Sequence, residues 1–190
     1  MCPTSKTGMW GTRLSRRTYA RVVTCMDVTE LSVQRISIVS SRSFEAVVGS
    51  LERAIGRPDI RAFRRDLSTA QNQPQLEQVV RTAVGPSDLM EFVRFDLGEI
   101  LRKEQGSCAP RMLRLVAGNP LIMKQMVKHV PDAGSYTPVT ILIDERADGV
   151  HLSYDRMASF LAPYGNKEAL AVARELDAKV EALLREVAGV

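Results

Sequence analysis

The chain has 190 residues and is 45% hydrophobic but only 5% aromatic, so it can bury one sizeable core built mainly from aliphatic side chains. No stretch approaches the roughly 20 consecutive apolar residues that cross a membrane, and we expect a soluble protein without membrane contact. The formal net charge is +4, with a pI near 9.1, which suits nucleic-acid binding only if the folded part carries the excess.

The basic excess lies in residues 1–25, which hold five lysines and arginines and no acidic residue. Residues 26–190 are left with a net charge of −1, so we expect no nucleic-acid binding except through the N-terminal segment. Residues 1–30 are predicted to be a disordered basic tail or an over-extended start, with Met26 as the alternative first residue. Residues 31–190 are predicted to form a single α+β domain. Because the tail lacks the apolar run of an export signal, a cytoplasmic location is expected.

The chain carries three cysteines, Cys2, Cys25 and Cys108, without metal-type spacing. Two of them lie in the tail, so no disulfide framework is predicted, and Cys108 is interpreted as an incidental loop residue. The sequence has no glycine-rich nucleotide-binding motif, and no paired histidines or clustered carboxylates with ligand spacing. We therefore expect neither a metal nor a cofactor.

The first predicted elements are a strand and a helix. Residues 33–39 are rich in β-branched residues, which favours a strand. Ser41 or Ser43 is expected to cap the helix that follows, and Gly56 is expected to end it.

Residues 57–88 are predicted to form two further helices. Pro58 is placed at the start of the first, and Pro74 in the first turn of the second. Each carries an apolar stripe at helical spacing: Ile60, Phe63 and Leu67 on the first, and Leu76, Val79, Val80, Ala83 and Val84 on the second.

The middle of the chain alternates strand and helix again. Residues 89–95 are predicted to be a strand, and Asp96 is expected to cap the next helix, with Glu99 in the capping-box position. Gly106 is expected to end that helix, and residues 111–117 to form the third strand.

A β-hairpin is predicted over residues 137–155, with its turn at Asp148-Gly149. A register with Ile143 opposite Leu152 or Tyr154 puts the apolar residues of both strands on one face. The same register places four polar residues on the other face: Asp144, Arg146, His151 and Ser153.

The last element is a long helix over residues 167–187, which Asn166 is expected to cap. Its apolar residues recur at steps of three and four and form a narrow seam: Ala169, Ala173, Leu176, Val180, Leu183 and Val187. Such a seam packs either on the sheet of the same chain or against a second chain, and the pattern fits both.

The Gly118-Asn119-Pro120 corner joins the third strand to a helix. Asn119 is a favoured N-cap, Pro120 suits the first helical position, and Gly118 permits a close backbone approach. Each residue thus has a sufficient structural role. The functional alternative is an anion bound at the positive end of the helix.

Three stretches together resemble the domain-of-unknown-function 302 (DUF302) family. They are SFEAVVGSLERAI, FVRFDLGEILRKEQG, and LRLVAGNPLIMKQMVKHVPDAGSYTPVTILIDERADGVHLSYD. The likeness covers roughly residues 33–165, with 57–88 longer than in short members. It implies an antiparallel sheet with helices on one face, of the TATA-box-binding-protein-like class, and a homodimer. It assigns no activity, and the positions that match it are Gly118, Asn119, Pro120, Asp96 and Tyr154.

Few residues are candidates for chemistry. His129 lies between lysines on a polar helix face and is interpreted as solvated. His151 is expected near Asp144 or Arg146. A Ser153–His151–Asp144 hydrolytic arrangement is the functional interpretation, and a solvated sheet face is the structural one. Met123 and Met126 suit an adaptable apolar pocket for a small ligand, although such methionines more commonly fill a core.

Two functions follow from this inventory. The first is a non-catalytic, dimeric module that binds a small ligand or a partner, with Gly118, Asn119, Asp96 and Tyr154 as candidate binding residues. The alternative is an enzyme with an anion-binding site at the corner, which requires Asn119, Asp96 and Tyr154 to converge on one pocket.

Overall fold

The computed structural model describes residues 28–106 and 109–190, so the predictions for residues 1–27 and for Cys108 lie outside the described part of the chain. The described residues contain one five-stranded antiparallel sheet in the order β1-β5-β4-β3-β2. Its strands are β1 (Arg35–Ser40), β2 (Met90–Asp96), β3 (Met112–Gly118), β4 (Val139–Arg146) and β5 (Gly149–Asp155).

The described residues form seven α-helices. They are α1 (Phe44–Ala54), α2 (Ile60–Thr69), α3 (Gln73–Ala83), α4 (Leu97–Gln105), α5 (Pro120–Val127), α6 (Met157–Leu161) and α7 (Lys167–Ala188). Short 3-10 turns occupy Pro131–Ser135 and Ala162–Tyr164. None of the helices in the described ranges is both long and apolar enough to cross a membrane.

Polar side chains start most of these helices by accepting a hydrogen bond from a backbone N–H of the first turn. Ser43, Asp96, Asn119 and Asn166 do so as predicted, for α1, α4, α5 and α7. The prediction for Pro58 was wrong, because Asp59 caps α2 and the proline precedes the cap.

The hairpin of β4 and β5 has the predicted register, with Ile143 opposite Leu152. The apolar row of both strands is buried, and it faces a helix layer. Val47 and Leu51 of α1 and Met126 of α5 join it in a single aliphatic core. The predicted α+β architecture, with helices packed on one face of an antiparallel sheet, is confirmed.

The seam of α7 is used within this chain. All six of its residues are buried in the core, with exposures of 3% or less. The alternative that the seam pairs with a second chain is therefore wrong, because these side chains are already covered by the sheet and by α1, α5 and α6.

The C-terminal end of α7 is fastened to the end of β1. The Ser40 hydroxyl, fully buried, donates to the Ala188 carbonyl oxygen over 2.7 Å. The Arg42 guanidinium donates to the Val187 carbonyl oxygen over 3.2 Å. These bonds satisfy carbonyl groups that a helix end leaves without internal partners.

Gly56 does not end α1 as predicted, since α1 stops at Ala54 with Ile55 as its C-cap. Gly56 instead lets two backbone segments cross, because a Cβ there would lie 1.9 Å from the Ala83 carbonyl oxygen. A Cβ on Gly85 would likewise lie 2.4 Å from the Ile55 carbonyl carbon. The Gly56 N–H donates to the Leu89 carbonyl oxygen, which extends the edge of the sheet beyond β2.

The sheet face away from the main helix layer, here called the open face, is partly apolar. Its register places Phe95 beside Arg114, Arg114 beside Leu142, and Val93 beside Val116. Phe95 is 45% exposed and Val93 is 39% exposed. We call Val93, Phe95, Val116 and Leu142 the apolar patch of the open face.

Candidate functional site

The side chain of Asn119 is fully engaged inside the chain. Its Oδ1 accepts from the Leu121 N–H over 2.8 Å, which caps α5. Its Nδ2 donates to both the backbone oxygen and the Oδ1 of Asp88, each over 3.0 Å. Since the residue is only 7% exposed, these bonds give the amide the partners that burial demands.

These contacts support the structural interpretation of the corner. The Met123 N–H donates to the Asn119 carbonyl oxygen, and Pro120 has no N–H to offer. The contacts give no support to an anion at the start of α5, and that alternative stays a prediction.

Asp88 is the residue that joins this corner to the rest of the helix layer. It has a left-handed backbone, with φ of 61°, which aspartate tolerates better than most residues. Its carboxylate also accepts from the Lys179 Nζ of α7 over 3.0 Å. The side chain thus ties the β3–α5 corner to α7, a contact that no local sequence pattern signals.

The corner forms part of the wall of a cavity of about 590 Å³, here called the corner cavity. It lies where β3 ends, between α2, α5 and the segment 134–139. Gly118 and Asn119 line it together with mainly apolar side chains, among them Phe63, Leu67, Phe92, Ile122, Met123 and Met126. Both methionines of the predicted pocket therefore lie on its wall.

Gly118 keeps this wall open. A Cβ at residue 118 would lie 3.3 Å from the Pro138 Cβ and 3.6 Å from the ring of Phe92, both of which line the cavity. A larger side chain would therefore push these neighbours or enter the cavity. The glycine has a role here that sequence alone expressed only as a close backbone approach.

Asp96 lies at the other end of the sheet. Its Oδ1 accepts from the Glu99 N–H over 2.9 Å, and its Oδ2 accepts from the Arg102 guanidinium over 2.8 Å. The Arg102 hydrogen bond, together with the Glu99 N–H, holds the pKa of Asp96 below its usual value. The residue pairs with Leu113, five residues along β3 from Gly118, which is about 17 Å of extended chain.

Tyr154 is buried in the core and donates its hydroxyl to the Asp177 Oδ1 over 2.6 Å. Burial, and next the charge of Asp177, raises the pKa of Tyr154 above its usual value. Asp177 also accepts from the Met157 N–H over 2.7 Å and the Ala158 N–H over 3.0 Å, so it caps α6 from α7. Sequence reasoning missed Asp177, whose one signal is an acidic residue beside the apolar seam.

The three candidate residues therefore do not meet. Asn119 lines the corner cavity, Asp96 borders a separate cavity beside Arg111, and Tyr154 faces Asp177. The catalytic alternative required these side chains to converge, and their placement gives it no support.

The strand register places His151 opposite Asp144, as predicted, but the two side chains bond to other partners. His151 Nε2 lies 2.8 Å from the Asp148 Oδ1 at the hairpin turn, and Asp144 pairs with Arg146 instead. The hydrolytic arrangement with Ser153 is not formed, because the carboxylate that His151 contacts is that of Asp148 in the turn and not that of Asp144. His129 is exposed in the turn after α5, and no cluster of three or more potential metal ligands occurs within 28–106 and 109–190.

Comparison with known proteins agrees with this fold. A crystal structure of an uncharacterized conserved protein DUF302 from Bacillus stearothermophilus superimposes with a TM-score of 0.56 and 11% sequence identity. The match covers 80% of this chain and 97% of that one. No curated protein matches this sequence.

The model of the domain of unknown function DUF302 matches residues 65–187, about two thirds of the chain. The match begins inside α2 and continues through α7, further than the resemblance noted in the sequence up to residue 165. The C-terminal helix is thus part of the shared domain, and the chain belongs to the DUF302 family.

Proposed function

We propose that this DUF302 domain is a non-catalytic module that binds a small apolar ligand in the corner cavity. One observation carries the proposal: a cavity of about 590 Å³ with largely apolar walls at the Gly118-Asn119 corner. Small-molecule sites are concave, mainly apolar and commonly ~300–1,000 Å³ in volume. The unbranched side chains of Met123 and Met126 can adapt the wall to ligands of different shape.

Of the four candidate binding residues, two belong to this proposed site. Gly118 provides room between Pro138 and Phe92, and Asn119 holds the first turn of α5 in place. Asp96 and Tyr154 have structural partners elsewhere and are not part of it.

Binding of the neutral fluorescent probe N-phenyl-1-naphthylamine tests this proposal. We expect saturable binding to the native chain, with a rise in melting temperature, because a ligand that binds only the folded state stabilises it. The double variant Leu67→Trp/Met123→Trp narrows the cavity from α2 and from α5, and should lose most of the probe signal.

The matched control is Ser68→Trp/Lys128→Trp, which adds two indoles to exposed positions next to or on the same helices. It should bind the probe as the native chain does, and circular dichroism should show that both double variants are folded. Absence of saturable binding to the native chain, or equal binding to both double variants, would contradict the proposal.

We also propose a homodimer that forms through the apolar patch of the open face. The resemblance to DUF302 implies a dimer, and the seam of α7 is not free to make it. Phe95 and Val93 are exposed, and Arg114 is the charged residue that lies between Phe95 and Leu142 in the strand register. A twofold pair needs such a self-complementary surface. A cytoplasmic location remains a prediction from the sequence.

A further inference from the structure

Arg64 is the charged residue of the corner cavity. It lies on α2 next to Phe63, is exposed to solvent, and lines the cavity, whereas none of the residues that line it is acidic. Arg64 therefore lies at the boundary between the apolar corner cavity and solvent.

The neighbours of Arg64 on α2 leave its charge without a helical partner. The residues three and four positions away are Ile60, Arg61, Leu67 and Ser68, none of which is acidic. The one acid nearby in α2, Asp66, lies 3.4 Å from the Arg65 guanidinium. Within residues 28–106 and 109–190, Arg64 makes no ion pair.

The polar side chains of the cavity wall other than Arg64 already form hydrogen bonds within the chain. The Asn119 amide is bonded to Asp88 and Leu121. The Thr137 hydroxyl donates to the Ala133 carbonyl oxygen over 3.1 Å. A ligand with hydroxyl groups along its body would bury them without partners, which disfavours sugars and nucleosides.

We propose that the ligand is an amphipathic carboxylate, with its hydrocarbon part in the corner cavity and its carboxylate on the Arg64 guanidinium; this inference rests on the proposed function. A planar guanidinium binds a carboxylate through two parallel hydrogen bonds. One arginine matches the single charge of such a head group, while a phosphorylated ligand of higher charge would leave charge uncompensated.

Competition against N-phenyl-1-naphthylamine with octanoate and with 1-octanol tests the head-group assignment. The two competitors share a hydrocarbon tail and differ in the charge of the head. Arg64→Gln should weaken the binding of octanoate roughly fivefold, which is the effect of losing one partly solvated ion pair. The same substitution should leave the binding of 1-octanol unchanged. Added salt should weaken octanoate binding to the native chain and not to the variant.

Arg65→Gln is the matched control, since it removes the same charge from the next residue of α2, which does not line the cavity. Arg65→Gln should leave the affinities of octanoate and of 1-octanol unchanged. Equal weakening of octanoate by the two substitutions, or equal effects of Arg64→Gln on octanoate and 1-octanol, would overturn the assignment while leaving the binding module standing. If neither the probe nor either competitor binds the native chain, the proposed function fails as well.

Discussion

Asp177 places a carboxylate inside the helix layer, where it is 5% exposed and would be costly without partners. Three donors surround it: the Tyr154 hydroxyl and the N–H groups of Met157 and Ala158. The residue therefore joins β5, α6 and α7 at one point. Its role is structural, and the hydrogen bond from the Tyr154 hydroxyl, at 2.6 Å, is the shortest of the three.

Tyr154→Phe should lower the free energy of unfolding by about 1–3 kcal/mol near neutral pH, because it removes one donor from a buried carboxylate. The native protein should also lose stability as pH rises above about 10, where tyrosine ionises in the unfolded chain while folding keeps Tyr154 protonated. One such proton gives a slope of at most about 1.4 kcal/mol per pH unit. Urea unfolding at several alkaline pH values measures this slope.

Tyr164→Phe is the control for that slope. A hydrogen bond with the Tyr136 hydroxyl raises the pKa of Tyr164 to about 12, but the residue is not part of the core. Tyr164→Phe should keep the part of the alkaline slope of stability that comes from Tyr154, and Tyr154→Phe should lack that part. Equal alkaline slopes in the native chain and in Tyr154→Phe would show that the raised pKa of Tyr154 does not affect stability.

Single residues were predictable from sequence where their partners are local. Asn119 and Asp96 bond to N–H groups two or three residues ahead, so their side-chain chemistry and position sufficed. Asp177 and Asp88 were missed because their partners lie 20 and 91 residues away along the chain. The predicted position of His151 opposite Asp144 is correct, but the strand pattern did not show that His151 contacts Asp148 of the turn and that Asp144 contacts Arg146.

At the scale of the elements, the backbone segments around Gly56 and Gly85 cross in close contact, and this crossing sets the position of the α2–α3 pair. Phe63, Val80, Ala83 and Met90 form a second apolar cluster there, and Phe92 meets Phe63 edge-on at 6.5 Å. The backbones approach so closely at the crossing that no side chain fits between them. The wall that α2 gives to the corner cavity therefore depends on this crossing.

Gly56→Ala should destabilise the fold by several kcal/mol, about the upper end for single substitutions, because its Cβ would overlap the Ala83 carbonyl oxygen. Gly49→Ala is the matched control inside α1, where a Cβ would meet only the Arg53 guanidinium at 3.5 Å. That variant should gain roughly 0.5–1 kcal/mol, since alanine favours a helix over glycine. Denaturant unfolding measures the free energy of unfolding of each variant. Equal values for the two variants would refute the close crossing.

The order and type of the elements followed from periodicity and caps. The alternating residues of the hairpin fixed its register, since a shift by one residue would turn Ile143 to the other face. The same periodicity did not show which surface the α7 seam meets, because a seam has the same spacing against a sheet and against another helix. Packing across the chain settles that question, and a one-dimensional pattern does not contain it.

At the scale of the whole molecule, the sheet has one face covered by helices and one face with a partly exposed apolar patch. Patches of this kind on soluble domains commonly mark interaction surfaces. The corner cavity could not be located from sequence, because its wall combines α2, β2, β3, α5 and α7. The sequence did indicate two parts of it, the Gly118-Asn119 corner and the methionine pair.

The native chain should sediment as a dimer at micromolar concentration if the apolar patch is the contact. Phe95→Lys/Leu142→Lys, which leaves the wall of the corner cavity unchanged, should produce monomers, since both copies lose apolar contact and gain like charges in the interface. Val190→Lys changes an exposed apolar residue beyond the end of α7 and should remain dimeric. Sedimentation velocity distinguishes these states, and either a monomeric native chain or a dimeric double variant would exclude this interface.

The place of β1 in the sheet affects how the protein is made. β1 is an edge strand, and its hydrogen-bonded neighbour is β5, with Ile36 opposite Tyr154. Its last residue, Ser40, bonds to Ala188, 148 positions further along the chain. During translation, β1 must therefore remain unpaired until β5 has left the ribosome, and its bond to α7 can form only after Ala188 has been synthesised, so we expect the sheet to close late.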